Sequence, residues 1–255
     1  MLKFFVVSDV HGFYEEMIEA LNKTGFDKYN SEHWLISLGD NFDRGTKPVE
    51  VMQYLLGLPR KVLIMGNHET LMRDLCNRGY PYMGDFSNKT YDTVCKLGGA
   101  GLERSFEECC NIAYFRTKDF FDSMVPYFET EKYVFVHGFL PVECHDGLPM
   151  YHSGNRLMSK REDWRVAHAS EWEEAMWLNS FDMVQQGFDI EKCIVAGHYH
   201  ASYGRHKTEG APEFGDGADF SPFHYKNKLI MVDSCVAHTG KVNCLVLEDN
   251  FLNTT

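Results

Sequence analysis

Five short apolar runs in this chain end in side chains of the kind that ligate metals, and that repeated junction constrains its folds more than any other feature. Phe4 to Val7 leads into Asp9-Val10-His11-Gly12, and Trp34 to Leu38 into Gly39-Asp40-Asn41-Phe42-Asp43-Arg44-Gly45. Val62 to Met65 leads into Gly66-Asn67-His68-Glu69, Tyr133 to Val136 into His137-Gly138, and Cys193 to Ala196 into Gly197-His198-Tyr199-His200. Each run has strand length and β-branched or aromatic content, as do Leu229 to Val232 and Val242 to Leu247. Helix-period segments lie between them: Tyr14 to Asn22, with Met17, Ile18 and Leu21 on one side, then Pro48 to Leu56 and Thr70 to Asn77. Further helices are expected over Thr117 to Val125 and Ser170 to Asn179. Alternation of this kind predicts an α/β fold, in which ligands collect beyond the carboxyl ends of strands. Glycines beside those ends let the chain turn sharply there.

Taken singly, these junctions have plainer explanations. Asp9-Val10-His11 fits a turn with an Asx-type hydrogen bond. Asn67-His68-Glu69 fits an N-cap followed by a first turn with its favourable Glu. His137 fits a buried core histidine. His198 and His200 point to one side of an extended chain. Five such coincidences in one chain point instead to a shared metal site.

Composition narrows the setting. At 255 residues the chain is expected to form a single domain over 1–255, with a loop insert near 206–225 rich in Gly, acidic and aromatic residues. Lys plus Arg number 25 against 37 Asp plus Glu, a net charge of −12, which argues against a broad nucleic-acid surface or an anionic membrane partner. The apolar stretch within Met1 to Val10 is too short for a signal peptide or a membrane span. Eight cysteines without a CxxC pair read as reduced thiols of a cytoplasmic protein and give no support for a structural zinc site.

In order, Asp-x-His, Gly-Asp-x-x-Asp-Arg-Gly, Gly-Asn-His-Glu, His-Gly and Gly-His resemble the signature of calcineurin-like metallophosphoesterases. Asp43-Arg44-Gly45 with Glu69 resembles the phosphoprotein phosphatase branch, especially its bacterial and phage members. Met231-Val232-Asp233-Ser234 through Gly240-Lys241-Val242 resembles that branch's last strand pair, so the likeness covers nearly the whole chain. The resemblance implies a central β-sandwich of mixed sheets flanked by helices. It also implies two divalent ions, the first held by Asp9, His11 and Asp40 and the second by Asp40, Asn67, His137 and His198, with His200 completing the first site. Mixed O and N donors suit Mn²⁺, with Fe²⁺ or Zn²⁺ as alternatives, and such a pair activates a bridging water for attack on phosphorus. His68 is expected to protonate the leaving group, Asp43 to fix its tautomer, and Arg44 to hold phosphoryl oxygens.

The sequence departs from the branch in places. Phe139 stands where a second glycine is usual, and Leu178-Asn179 follows Trp177 where a second phosphate-binding arginine is common. The segment from Asn155 to Arg165 is the expected substitute, with Arg165 as the substrate-binding candidate beside Arg156 and Arg161. The expected function is phosphomonoester hydrolysis by a serine/threonine protein phosphatase, acting on a phosphorylated protein or a small phosphoester. A nucleotide or dinucleoside polyphosphate hydrolase or phosphodiesterase is the alternative, and a catalytically silent metal-binding adaptor the reading from another class.

Overall fold

The computed structural model describes residues 1–99, 104–145 and 158–252. One sheet contains β1 (Leu2–Val7), β2 (His33–Ser37), β3 (Lys61–Ile64), β4 (Met124–Val125) and, at its other edge, β12 (Cys244–Asp249), in the order β12-β1-β2-β3-β4. The second contains β5 (Phe128–Glu129), β6 (Tyr133–Val136), β9 (Cys193–Ala196), β10 (Phe223–Tyr225) and β11 (Leu229–Met231), in the order β10-β11-β9-β6-β5. A hairpin of β7 (Val142–Cys144) and β8 (Met158–Lys160) stands apart. Strands β1 to β4 run parallel, as do β6, β9 and β11, while β12, β10 and β5 pair antiparallel. Both sheets are therefore mixed.

The alternation of side chains explains how the sheets stack. Phe4, Val6, Ile36, Leu38 and Ile64 meet Phe135, Val195, Ile230 and Val232 in a core between the sheets. The intervening residues Phe5, Val7, Leu35 and Leu63 face outward and are buried as well, beneath helices α1 (Tyr14–Thr24), α2 (Pro48–Leu56), α3 (Asn67–Arg78), α5 (Thr90–Gly98) and α6 (Phe106–Asp122), with a short α4 (Met83–Ser87) packed on α5. On the far side α7 (Ala169–Ala175), α8 (Ser180–Gln185) and α9 (Ala201–Glu209) cover Val134, Val136, Ile194 and Ala196, and a short α10 (Val236–Thr239) precedes β12. Strands buried on both faces read as continuous apolar runs, which is why they were legible. Each fully buried Phe, Leu or Ile contributes about 1.5–3 kcal/mol, so the inter-sheet layer and the two helix-covered layers all hold the fold together. The result is a β-sandwich between two layers of helices.

Three local expectations need correction. The helix expected over Thr117 to Val125 starts at Phe106, because Ser105 caps it: its Oγ accepts from the N–H of Glu108 (3.2 Å), and Glu108 Oε2 accepts from the N–H of Ser105 (2.7 Å). The helix expected over Ser170 to Asn179 is two helices, since Asn179 caps α8 by accepting from the N–H of Phe181 (3.0 Å). The stretch 206–225 begins inside α9 and ends in β10, so the irregular part is confined to 210–222. No helix among the described residues is long and apolar enough to cross a membrane.

Candidate metal centre

Because β1, β2 and β3 point the same way, Asp9, Asp40 and Asn67 leave the first sheet at one rim, and β6 and β9 deliver His137 and His198 to that rim from the second. Hydrogen bonds join the two sheets there: the N–H of His198 donates to Asp9 Oδ2 (3.0 Å), and His137 Nδ1 donates to the carbonyl of Leu38 (2.8 Å). The cleft between them encloses about 180 Å³ and is lined by Asp9, His11, Asp40, Arg44, Asn67 and His68, with Trp177, His198 and Asp233 on its far wall. Asp9, His11, Asp40, Arg44 and His198 all have positive φ between 49° and 73°. Such strained backbone costs about 1–3 kcal/mol per residue and gathers at functional sites. Close backbone approach is equally pronounced: a Cβ on Gly66 would lie 2.3 Å from Asp40 Oδ1 and one on Gly197 2.6 Å from Asp9 Oδ2.

Asp40 sits at the centre. Its Oδ2 lies 3.9 Å from His11 Nε2 and 3.8 Å from His68 Nε2, and its Oδ1 lies 3.4 Å from His137 Nε2. His11, Asp40 and His68 offer ligand atoms within 4.8 Å of one another, and so do Asp40, His137 and His198. Burial alone would raise the Asp40 pKa, but the imidazoles of His137, His68, His11 and His198 hold it below the usual carboxylate range. Burial pushes the Asp9 carboxyl up, opposed by His137 and reinforced by Asp40. Burial also pulls His198 down to about 3, which keeps that ring neutral and able to ligate.

The donor set fits a cation. The Leu38 carbonyl can only accept, so His137 Nδ1 donates there and Nε2 is the nitrogen turned toward the cluster. It lies 2.8 Å from Asn67 Oδ1 and 3.4 Å from Asp40 Oδ1. Two oxygen acceptors converging on one imidazole nitrogen need a proton or a metal ion between them. His11 Nδ1 is buried without a hydrogen-bond partner, so its ring is not oriented by protein contacts at that nitrogen. Carboxylate, amide and imidazole donors together suit a first-row divalent ion.

Around this cluster the supporting bonds are specific. Glu69, in the first turn of α3, accepts from the N–H groups of Asp40 (2.8 Å), Asn41 (2.7 Å) and Gly66 (3.0 Å) and so fixes the loop that carries Asp40. Gly66, rather than Asn67, is the residue that caps α3. Asp43 Oδ2 accepts from His68 Nδ1 (2.7 Å) and from Thr90 Oγ1 (2.6 Å), which turns His68 Nε2 toward the cleft. Burial would lower the His68 pKa, but Asp40 and Asp43 outweigh it and raise the group to about 9. Arg44 Nη2 lies 3.3 Å from His68 Nε2 at the mouth.

Two expected residues lie elsewhere. His200 caps α9 with its ring turned out of the cleft: Nδ1 is 2.9 Å from Ser202 Oγ, Nε2 is 3.3 Å from Glu213 Oε1, and Phe214 packs 4.7 Å away. Arg165 forms a bidentate pair with Glu129 (2.9 and 2.7 Å) and covers the Trp164 ring, so a nearby carboxylate and an aromatic face claim it. Arg161 is held by Asp163 and Glu171, and Arg156 lies outside the described residues. Conversely, Asp233, Trp177 and Thr90 were not singled out. Asp233 had a visible signal, since it follows a sixth strand just as Asp9 and Asp40 follow theirs. Trp177 meets the His198 ring edge-on at 6.0 Å.

Comparison with known proteins agrees with this picture. The family profile described as calcineurin-like phosphoesterase matches residues 2–240. An asymmetrical bis(5'-nucleosyl)-tetraphosphatase of Bacillus velezensis is 33% identical over 87 residues, 31% of this chain and 32% of that protein. Serine/threonine-protein phosphatase 2 of Salmonella typhimurium is 37% identical over 70 residues, 28% of this chain and 31% of that protein. The chain thus matches less than half the length of either relative. Among solved structures, a cold-active protein-tyrosine phosphatase of a psychrophilic Shewanella superposes with a TM-score of 0.53 at 19% identity, covering 98% of this chain and 76% of that one.

Proposed function

The chain belongs to the calcineurin-like phosphoesterase family of metal-dependent hydrolases, and on that premise we propose that it cleaves phosphoesters at a centre for two divalent cations. One ion is assigned to Asp9, His11 and Asp40, the other to Asp40, Asn67, His137 and His198. The observation that carries this reading is the position of Asp40, whose two oxygens face separate groups of imidazoles. When bound, such a pair of ions, for which we propose Mn²⁺ ahead of Fe²⁺ or Zn²⁺, supplies water activation and polarises the phosphoryl group.

The chain's own residues do the rest. His68, although its Nε2 also lies near Asp40, is assigned to proton transfer because Asp43 and Thr90 anchor its other nitrogen and aim the ring at the cleft. Its Nε2 faces the cleft, the position from which a proton can pass to a departing oxygen. Arg44 offers its guanidinium to the non-bridging phosphoryl oxygens. Glu69 is a positioning residue for Asp40.

For the substrate we favour a nucleoside polyphosphate over a phosphoserine or phosphothreonine on a protein. The protein-phosphatase branch commonly holds its phosphoryl group with a second arginine, whose place Leu178-Asn179 takes here, whereas a nucleoside polyphosphate has bases through which it can gain affinity outside the cleft. Among the described residues, Arg44 is the arginine that lines the cleft, while Arg161 and Arg165 are spoken for. The names of the relatives support either substrate. Assays of metal-reconstituted protein with bis(5'-adenosyl) tetraphosphate, a phosphopeptide and a phosphodiester separate these readings. The dinucleotide is expected to lead the phosphopeptide by at least about tenfold in kcat/KM, roughly 1.4 kcal/mol, and the reverse order would restore the protein phosphatase. In the same assays Arg44→Ala should raise KM about tenfold or more with metal content unchanged, and Arg165→Ala should stay within about twofold of wild type.

A further inference from the structure

Past the C-terminal end of α3, ahead of α4, the chain exposes a pair of aromatic side chains that the hydrolytic chemistry does not use. Tyr80 and Tyr82 are 54% and 56% exposed, with their rings edge-to-face at 5.5 Å and their hydroxyls 3.2 Å apart. Exposed side chains are ordinarily mobile, yet this pair is held. Arg78 lies 4.1 Å from the Tyr82 ring centroid, its Nε donates to the carbonyl of Tyr80 (2.9 Å), and its Nη2 pairs with the buried carboxylate of Asp85 (2.6 Å). Asp85 also accepts from the N–H of Tyr82. A buried acid is thus used to fix an exposed ring.

A short helix separates this pair from the cleft. Tyr82 immediately precedes α4, and Asn88, which immediately follows it, lines the cavity beside Arg44 and His68. At 1.5 Å per helical residue the two ends of that segment are about 9 Å apart. Next to Asn88, the side chain of Lys89 is 57% exposed, 3.8 Å from Asp92. Arg44 at the cleft and the guanidinium behind Tyr82 mark the two ends of this stretch, which suits a phosphate-bearing ligand that ends in a flat ring.

We propose that Tyr80 and Tyr82 form the base-binding part of the substrate site, stacking a nucleobase whose polyphosphate runs past Asn88 into the cleft. This rests on the hydrolase reading above and specifies its substrate. Aromatic faces bind any base by stacking, and a guanidinium behind the ring reinforces them. The same surface could instead take an apolar side chain of a phosphopeptide, but the pre-set planar rings, with a guanidinium behind one of them, favour the base.

The test uses the Mn²⁺-loaded full chain and three substrates: bis(5'-adenosyl) tetraphosphate, inorganic tripolyphosphate and p-nitrophenyl phosphate. Tyr82→Ala is expected to lower kcat/KM for the dinucleotide about tenfold, mainly through KM, with both base-free substrates within about twofold. Tyr80→Ala should act in the same direction, and Tyr82→Phe should retain activity because stacking needs the ring and not the hydroxyl. A titration with a methylene-bridged dinucleotide analogue should show the same weakening without turnover. Equal losses on all three substrates, an unchanged dinucleotide, or a loss confined to an added phosphopeptide would each overturn the proposal while leaving the hydrolase intact. Failure of the hydrolase reading would look different, with none of the substrates turned over by the wild type, and would remove the ground for this proposal too.

Discussion

Asp40→Asn is expected to reduce kcat/KM by at least about 10³-fold, roughly 4 kcal/mol of transition-state stabilisation, and to lower the metal content of the purified protein. Asp40 has this weight because, among the described residues, it is the carboxylate shared by both clusters, its two oxygens facing His11 and His68 on one side and His137 on the other. Asparagine keeps the size and one acceptor, so the inter-sheet packing is preserved. What is lost is the negative charge that draws both cations. Elemental analysis and urea unfolding should therefore disagree in a telling way, with metal falling sharply while the fold persists. Retention of wild-type activity by the asparagine variant would remove the bridging role from this account.

The second large effect is expected at His68. His68→Ala should lower kcat by about 10²–10⁴ for an alkyl phosphate, the usual worth of a positioned general acid. Its metal content should remain near wild type, because the ring is anchored at Nδ1 by Asp43 and is assigned to no ion. The loss should shrink for p-nitrophenyl phosphate, whose leaving group departs without a proton. Asp43→Asn should reproduce a milder form of the same pattern, since it frees the ring without removing it. Equal losses on alkyl and aryl esters, or loss of metal, would show that His68 ligates instead.

How far the sequence carries this account depends on where each interaction is encoded. The strands were legible because each is an unbroken apolar run buried on both faces, and their ligand-bearing ends because every one of them is local: a few residues fix both the strand and the turn that follows. Asp233 is legible as part of the last strand pair but not as a site residue, although its strand end obeys the same rule. It lacks a histidine neighbour, and only the packing of β11 beside β9 brings it to the cleft. The bond from Thr90 to Asp43 spans 47 residues and has no periodic signature. Arg165 misled for a related reason. A basic residue near a motif looks available until its partner is known, and Glu129 lies 36 residues away in β5. His200 follows the motif spacing, but it begins a helix there, and the extended geometry that would align it with His198 ends at that residue. Local patterns therefore gave the scaffold and the cluster, while long-range polar pairing decided which charges remain free to meet a substrate.

The central claim is that two divalent ions share Asp40. It is tested most directly by stripping the protein of metal and titrating it with Mn²⁺, counting bound ions and following p-nitrophenyl phosphate hydrolysis in the same samples. The account predicts no turnover by the stripped protein and activity that rises to a plateau at two ions per chain. Full turnover by a sample that elemental analysis shows to be metal-free would contradict it.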